Sequence, residues 1–295
     1  MTDPSTQFAL ITGGNSGIGF ATVNRLAVLG YHVILAARNL EASKAAISRL
    51  LATQPNAILE SIPLDLASFA SIRQCVDTFH AKGYPLHLLI NHAGAVIYGK
   101  QASFTPDGFE KTFQTNYLGH FLLTQLLLED LKSSAPARII NVTSRLHIPG
   151  YGGGPGPDFD YENLKGEKYY QPQVFYKNSK LAIVWFTYEL QRRLGGSGVT
   201  ANTVCPGFVP ASIAERSKSP FQRFFYRQIM SRMPFARSWE QASGSFVHVA
   251  TDPRYAIVGG KFIVDYKEIP SSEESYDQAK ARQLWEQSLS WCGLK

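Results

Sequence analysis

The chain has 295 residues, of which 44% are hydrophobic and 18% are charged. This composition is typical of a folded globular protein and excludes a disordered chain. The formal charge of +6 is compatible with contact to nucleic acid or to an anionic membrane surface, but by itself requires neither.

Cysteine content and hydropathy indicate the cellular compartment of the protein. Three cysteines far apart in the sequence fit neither a disulfide framework nor a metal-binding knuckle, so we predict no metal and a reducing compartment. No segment resembles a signal peptide, and no apolar run reaches the ~18 residues that a membrane span needs. We therefore expect a soluble, cytoplasmic protein. No Pro/Gly/Ser linker divides the chain, and residues 1–295 are predicted to form one domain.

The first predicted strand, Phe8–Ile11, is joined by a glycine-rich turn to a helix at Phe20–Leu29. Without Cβ atoms, Gly13, Gly17 and Gly19 allow a tight turn, close approach of a phosphate to the backbone, and close packing of helix on strand. The helix N-terminus adds free N–H groups and a partial positive charge, so the turn predicts a pyrophosphate site. A glycine turn without a ligand is the alternative.

A second strand is predicted at Tyr31–Ala37, and Arg38 and Asn39 follow it. A residue at this position lies near the adenosine ribose of a bound dinucleotide. An acid there bonds the 2′-hydroxyl of NAD, whereas an arginine suits the 2′-phosphate of NADP. Arg38 therefore favours NADP(H), with an arginine merely exposed at a strand end as the alternative.

Further strands and helices alternate along the chain. The strands are predicted at 57–62, 86–91, 138–142, 199–204 and 257–264, and the helices at 41–53, 107–132, 174–194, 239–250 and 275–291. This alternation predicts an α/β fold of the Rossmann type, a doubly wound parallel sheet of about seven strands with helices on both faces. Asp65 lies at the carboxyl end of the third strand, where such sheets bind ligands, although a capping role beside Ser68 competes with this.

Several residues at this edge are suited to a cofactor or to chemistry. Ala93 and Gly94 follow the fourth strand and permit a cofactor to lie against the backbone. Asn116 lies inside the predicted helix 107–132, where asparagine is unfavourable, so a specific use competes with a solvent-facing position.

Tyr176 and Lys180 lie four residues apart on one predicted helix and point to the same side. A neighbouring cation favours the phenolate and lowers the pKa of a tyrosine, which makes the phenol usable as an acid and base at neutral pH. Ser144, at the end of the fifth strand, is suited to bonding the oxygen of a carbonyl or alcohol. Because a Tyr–Lys pair occurs by chance on many surface helices, this interpretation depends on the whole set.

Taken together, the motifs resemble those of the short-chain dehydrogenase/reductase family across nearly the whole chain. The matching segments are Thr12-Gly13-xxx-Gly17-Ile18-Gly19, Asp65-Leu66, Asn91-His92-Ala93-Gly94, Asn116, Ser144, Tyr176-xxx-Lys180 and Pro206-Gly207. Within the family, Asn116–Phe121 and Ala36–Asn39 are similar to the retinol dehydrogenases and, more weakly, to the light-dependent protochlorophyllide reductases. The resemblance implies apolar carbonyl or alcohol substrates, mostly with NADP(H).

The resemblance also implies a role for each matching residue. Tyr176 would be the general acid and base, Lys180 would lower its pKa and hold the nicotinamide ribose, and Ser144 would orient the substrate oxygen. Asn116 would hold a water that links Lys180 to solvent. The residues that would contact NADP(H) are Gly13, Asn15, Ser16, Gly17, Ile18, Gly19, Arg38, Asn39, Asp65, Leu66, Asn91, Ala93, Gly94, Tyr176, Lys180, Pro206, Gly207 and Val209.

Two positions depart from the family pattern. His92 stands where the family usually has a second asparagine, and we expect this to change hydrogen bonding at the sheet edge rather than the chemistry. Pro210 and Ala211 follow Val209, where a threonine commonly follows and bonds the nicotinamide amide or the phosphates, which leaves that contact without its usual residue.

Two long connections are suited to the substrate. Residues 145–173, rich in Gly, Pro and aromatic residues, are predicted to form a substrate loop over the active site. The resemblance implies a mobile substrate lid at 208–238. Within it, 216–237 contains six Lys/Arg and no Asp/Glu, interleaved with aromatic side chains. This stretch is expected to wall an apolar pocket and is suited to an anionic membrane surface.

Other interpretations of this stretch and of the whole chain remain. A basic helix with its aromatic rings in the core is the alternative for 216–237, while nucleic acid is disfavoured because no recognised binding motif accompanies it. The sequence predicts an NADP(H)-dependent oxidoreductase that interconverts an apolar aldehyde or ketone and its alcohol. The alternatives are a light-dependent protochlorophyllide-type reductase and a non-catalytic NADPH-binding sensor or scaffold. We expect a monomer, or a homodimer formed through helices 107–132 and 174–194.

Overall fold

The computed structural model describes residues 6–153, 156–217 and 219–295 of the chain. Over these residues the protein is an α/β fold built on one eight-stranded sheet. The strands are β1 (Phe8–Thr12), β2 (His32–Ala37), β3 (Leu59–Pro63), β4 (Leu88–Asn91), β5 (Ala137–Val142), β6 (Val199–Cys205), β7 (Phe262–Val264) and β8 (Lys267–Glu268).

Helices connect the strands. They are α1 (Gly17–Val28), α2 (Leu40–Leu51), α3 (Phe69–His80), α4 (Lys111–Phe113), α5 (Gly119–Leu126), α6 (Leu128–Ser133), α7 (Pro172–Arg193), α8 (Pro210–Arg216), α9 (Pro220–Phe224), α10 (Trp239–Thr251) and α11 (Gln278–Trp291).

The strand order is β3-β2-β1-β4-β5-β6-β7-β8, and the strands from β3 to β7 are parallel. This confirms the predicted doubly wound sheet. The direction of winding reverses between β1 and β4, and sheets of this kind bind ligands at the carboxyl ends of the strands beside such a switch point. The sequence did not predict β8, which pairs antiparallel with β7 through a turn in which Asp265 and Tyr266 adopt φ angles of 48° and 66°.

Alternate residues of β1 pack into two separate hydrophobic cores, one on each face of the sheet. Phe8 and Leu10 pack with α3, α5, α7 and α11 on one face, whereas Ala9 and Ile11 pack with α1 and α10 on the other. All four side chains are buried, as the period of two in a strand requires when both faces are covered. The site is therefore carried by a rigid platform.

Two predicted elements differ from the structure. The helix predicted at 107–132 begins only at Lys111 and is interrupted by a π-helical turn, Gln114–Leu118, that contains Asn116. The strand predicted at 257–264 begins at Phe262, because Pro253–Ala256 form a short 3₁₀ helix and Gly260 adopts a φ angle of 71° ahead of the strand.

The last helix, α11, lies against α7. Its Trp285 ring is 5.2 Å from that of Phe121 and 5.8 Å from that of Phe186, and Glu286 forms an ion pair with Arg193. Part of the face that would form a dimer is thus covered by the chain itself. The choice between monomer and homodimer stays a prediction.

Candidate active site

Tyr176 and Lys180 lie on α7, which begins at Pro172, a residue whose fixed φ angle suits the first turn of a helix. Tyr176 is half-buried, whereas Lys180 is 3% exposed. Lys180 Nζ donates a hydrogen bond to the carbonyl oxygen of Val142 (2.9 Å) and lies 5.6 Å from the centroid of the Tyr176 ring. The fold therefore fixes a cation beside the phenol.

The end of β5 is tied to the same helix. The Thr143 hydroxyl donates to the carbonyl oxygen of Lys180 (2.8 Å), and Ser144 follows it, half-buried. Ser144 Oγ accepts a long hydrogen bond from the Leu146 backbone (3.3 Å), so it also caps the short turn after β5. The structure thus brings Ser144, Tyr176 and Lys180 to one edge of the sheet, as the sequence predicted.

Asn116 connects three parts of this edge. Its Oδ1 accepts from the Ala95 backbone N–H (2.8 Å), and its Nδ2 donates to the Ala95 carbonyl (2.9 Å) and to Ser179 Oγ (3.0 Å). The Ser179 hydroxyl in turn donates to the carbonyl of Tyr176 (2.7 Å). These bonds give Asn116 a specific use in holding α7 against the loop after β4, rather than a solvent-facing position. Its predicted water stays a prediction.

Gly94 lets the backbone approach these side chains. A Cβ atom at this position would lie 3.3 Å from Asn116 Oδ1 and 3.5 Å from Lys180 Nζ. The first contact is tighter than most real Cβ contacts and the second is an ordinary van der Waals contact, so a larger residue would require Asn116 or the loop to shift by a few tenths of an ångström.

The glycine turn after β1 has the geometry of an anion cradle. Gly13 and Gly17 have φ angles of 70° and 54°, and a Cβ atom on Gly19 would lie 2.3 Å from the carbonyl oxygen of Gly13. Ser16 stands at the N-cap of α1 but makes no capping bond with its side chain, and the first turn contains no acidic residue. Neither the Ser16 side chain nor an acidic residue therefore caps the first N–H groups of α1. A bound phosphate would supply the missing acceptor.

Other predicted cofactor residues also have local structural roles. Asn39 Oδ1 accepts from Ala42 N (3.0 Å) and caps α2, while Arg38 beside it is exposed. Asp65 Oδ1 accepts from Ala67 N (3.0 Å), and Ser68 caps α3 as the sequence indicated. Four more predicted cofactor residues lie near these: Asn15 on the glycine turn, Ile18 in the first turn of α1, Leu66 after β3, and Ala93 after β4.

Asn91 faces inward instead. Its Nδ2 donates to Thr124 Oγ1 and Asn141 Oδ1 (2.8 Å each), and only 3% of the residue is exposed. It therefore joins β4 to β5 and α5 below the edge of the sheet, and any cofactor contact would come from its backbone.

Pro206, Gly207 and Val209 follow β6 and lead into α8. Gly207 has a φ angle of 77°, and Val209 is buried. The segment 208–238 returns to the same strand end, since Arg237 N donates to the carbonyl of Phe208 (2.8 Å). Within it, Lys218 lies outside the described residues, as do residues 154–155 of the predicted substrate loop.

The two departures from the family pattern have structural consequences. The His92 ring packs edge-on against Phe246 (5.7 Å) beside Gly19. The expected change of hydrogen bonding at the sheet edge stays a prediction. Next to Ala211, the Ser212 hydroxyl accepts from Trp239 Nε1 (3.2 Å) close to Gly17.

His120, which was not among the residues predicted from the sequence, links the two halves of the site. Its Nε2 lies 2.9 Å from Thr12 Oγ1, and its Nδ1 lies 2.9 Å from the carbonyl oxygen of Asn116. Thr12 Oγ1 also accepts from the backbone N–H groups of His92 and Ala93. With both lone pairs taken, the threonine hydroxyl donates to Nε2, so we deduce that Nδ1 carries the imidazole proton.

Burial keeps this imidazole neutral. His120 is 3% exposed, and loss of solvation lowers its pKa to about 4, with the charge on Lys180 acting in the same direction. A histidine inside the apolar run Leu118–Leu123 was the signal available in the sequence.

Tyr170, in the segment predicted to form the substrate loop, is bound at a buried carboxyl group. The Tyr170 hydroxyl donates to the carbonyl of Ile97 (2.9 Å) and lies 3.2 Å from Glu110 Oε1, while Glu110 Oε2 accepts from Phe113 N (2.7 Å). Burial raises the pKa of Glu110. These bonds join the loop to the connection after β4 and to the start of α4.

Two further observations concern the described residues as a whole. They include no cluster of three or more His, Cys, Asp or Glu side chains placed to bind a metal ion. None of their helices combines the length and apolar character needed to cross a bilayer.

Comparison with known proteins identifies the family. Residues 7–155 match the family model of short chain dehydrogenases, and the human polyprenol dehydrogenase is 37% identical over 98% of this chain and 86% of its own length. The chain is a short-chain dehydrogenase/reductase. Human retinol dehydrogenase 11 is 38% identical to this oxidoreductase, over 98% of the chain and 86% of the relative. The predicted retinol dehydrogenase-like branch is therefore confirmed.

A solved structure extends the likeness to three dimensions. The Pseudomonas aeruginosa RhlG/NADP active-site complex superposes on this short-chain dehydrogenase/reductase with a TM-score of 0.68 and 25% sequence identity, covering 89% of this chain and 95% of the other.

Proposed function

We propose that the protein is an NADP(H)-dependent oxidoreductase that interconverts an apolar aldehyde or ketone and its alcohol. The observation that carries this proposal is the buried ammonium group of Lys180, which lies 5.6 Å from the Tyr176 ring at the same sheet edge as the glycine turn. A phenol beside a fixed cation is suited to exchanging a proton at neutral pH.

The cofactor proposal rests on the fit of the glycine turn and on Arg38. The first N–H groups of α1 would hold the pyrophosphate, and the exposed Arg38 would face the 2′-phosphate. The likeness to a protein solved with NADP supports the same choice. NADP(H), when bound, supplies or accepts the hydride.

The protein's own side chains would manage the proton. In the direction of reduction the Tyr176 hydroxyl donates its proton to the substrate oxygen, and the Ser144 hydroxyl donates a hydrogen bond to that oxygen. Lys180 stabilises the phenolate left behind, because opposite charges this close favour the ionised form. Asn116 keeps α7 in register with the loop after β4 while this happens.

The substrate class is proposed from the relatives and the loops. The named activities of the relatives are dehydrogenation of polyprenol and of retinol, both long apolar alcohols. In this chain, residues 145–173 would form a substrate loop and 208–238 a lid, together covering the edge that bears Tyr176 and Ser144.

The proposal is tested with purified protein, NADPH and a panel of aldehydes and ketones of rising chain length, kept in darkness. We expect NADPH absorbance to fall faster with the apolar members, and the reverse reaction with the matching alcohols and NADP. Binding of NADPH without turnover of any panel member would favour a sensor or scaffold, and turnover only under illumination would favour a light-dependent reductase.

A further inference from the structure

The segment 219–235 places its large apolar side chains in solvent. None of its residues is buried, although the sequence alone allowed its aromatic rings to join the core. The exposed fractions are 76% for Phe221, 61% for Phe224, 44% for Ile229, 38% for Met233 and 57% for Phe235. Exposed apolar clusters of this kind mark an interaction site.

Positive charge is interleaved with these apolar groups. Arg223, Arg227 and Arg232 are exposed, and within the described part of the chain none of them forms an ion pair with a carboxylate. Arg237 differs, since it is paired with Asp265 (3.0 Å). The basic-aromatic surface, defined as the five apolar side chains above and these three arginines, therefore carries net positive charge.

The position of the surface relates it to the active site. Its segment leaves and rejoins the fold at the carboxyl end of β6, where Phe208 bridges to Ala236. Tyr98, Tyr151 and Tyr169, which are 69%, 43% and 39% exposed, lie in the connections that follow β4 and β5. Because the carboxyl ends of parallel strands share one edge, these exposed rings lie on the side of the molecule that bears Tyr176.

We propose that the basic-aromatic surface docks the protein on an anionic lipid bilayer and directs the active-site edge toward it. Apolar side chains would enter the interfacial region, while the arginines would be attracted to acidic headgroups. Docking would bring the active site to the bilayer, where an apolar substrate accumulates. The purpose of docking therefore rests on the proposed function.

Other occupants fit the surface less well. In a symmetric dimer the same surface of each copy would meet, so arginines would face arginines. The segment 219–235 contains no Asp or Glu that could neutralise their charge. Nucleic-acid interfaces are more polar than protein interfaces, and five exposed apolar side chains would gain little there.

The test is co-sedimentation of the full chain with vesicles, without cofactor or substrate. Vesicles of phosphatidylcholine alone are compared with vesicles that also contain phosphatidylserine. We expect binding to the anionic vesicles that weakens with added salt. Phe221→Ser/Phe224→Ser and, separately, Arg223→Gln/Arg227→Gln/Arg232→Gln should each reduce that binding at least about tenfold.

A matched control removes similarly exposed apolar groups from the other side of the molecule, at the amino-terminal ends of the strands. Val28 and Ile257 are 67% and 85% exposed at the amino-terminal end of the sheet, and Val28→Ser/Ile257→Ser should bind vesicles as the wild type does. Circular dichroism confirms that each variant is folded.

Three results would overturn the docking proposal: no binding by the wild type, equal losses in the control, or a dimer that the phenylalanine variant alone abolishes. Since no turnover is involved, vesicle binding by a protein that fails to oxidise NADPH would count against the proposed function only.

Discussion

The imidazole of His120 joins the glycine turn to the active site through its 2.9 Å contact with Thr12 Oγ1, made across 108 positions of sequence. The other ring nitrogen bonds the Asn116 carbonyl, so one side chain links the end of β1 with the π-helical turn. Replacement by leucine would leave a buried hydroxyl and a buried carbonyl without their partner.

We predict that His120→Leu lowers the free energy of unfolding by about 1–3 kcal/mol, and that His120→Gln, which keeps hydrogen-bonding atoms, lowers it less. Urea unfolding of both variants at neutral pH checks this. Equal losses in the two variants would show that ring packing, rather than hydrogen bonding, is what His120 supplies.

The same residue should also make stability depend on pH. Its pKa is about 4 in the folded protein, whereas that of an unperturbed histidine is about 6.5, so between these values the unfolded chain binds more protons. Stability from this group is complete above about pH 6.5 and is lost as the pH falls towards 4, by up to roughly 3 kcal/mol. The difference in the free energy of unfolding between wild type and His120→Gln should therefore shrink as the pH falls from about 6.5 towards 4. A constant difference would contradict the buried neutral imidazole.

Gly19→Ala tests the close packing in the glycine turn. The added methyl group would lie 2.3 Å from the Gly13 carbonyl oxygen, so the turn must shift. We expect a lower melting temperature and a large loss of NADPH affinity, measured by fluorescence titration. Gly195→Ala is the control, because its Cβ would lie 3.7 Å from its nearest neighbour, an ordinary contact. Unchanged NADPH affinity in Gly19→Ala would exclude the turn as the phosphate site.

Arg38→Asp tests the choice of nucleotide. An acid at the end of β2 repels the 2′-phosphate and can bond the 2′-hydroxyl, so the ratio of kcat/KM for NADPH to that for NADH should fall at least about tenfold. Arg282→Asp, an equally drastic change at an exposed position on α11, should leave the ratio as it is. An unaltered ratio in Arg38→Asp would mean that this arginine is only an exposed residue.

The sequence predicted the sheet well because its strands are nearly continuous apolar runs. Tyr31–Ala37 and Val199–Val204 lie within one residue of β2 and β6, since strands buried on both faces leave this pattern. β8 was missed because Lys267 and Glu268 are polar and their pairing depends on a turn with positive φ angles, not on periodicity.

The part of the candidate site that lies on a single helix was predictable from the sequence. Tyr176 and Lys180 share a face of α7 because of their spacing, which the sequence displays directly. The π-helical turn at Asn116 was not predictable, because apolar periodicity does not distinguish π from α hydrogen bonding over one turn. Thr12, one partner of His120, and both partners of Asn91 lie more than 30 positions away, so only the fold reveals these contacts.

The kinetics of Tyr176→Phe test the central claim most directly. The variant loses only the phenolic oxygen, and Tyr266→Phe, at the exposed turn before β8, serves as its control. We predict that Tyr176→Phe keeps the wild-type Kd for NADPH while kcat with an apolar aldehyde falls at least about 100-fold. A variant that reduces the aldehyde at the wild-type rate would contradict the assignment of Tyr176 as the proton donor.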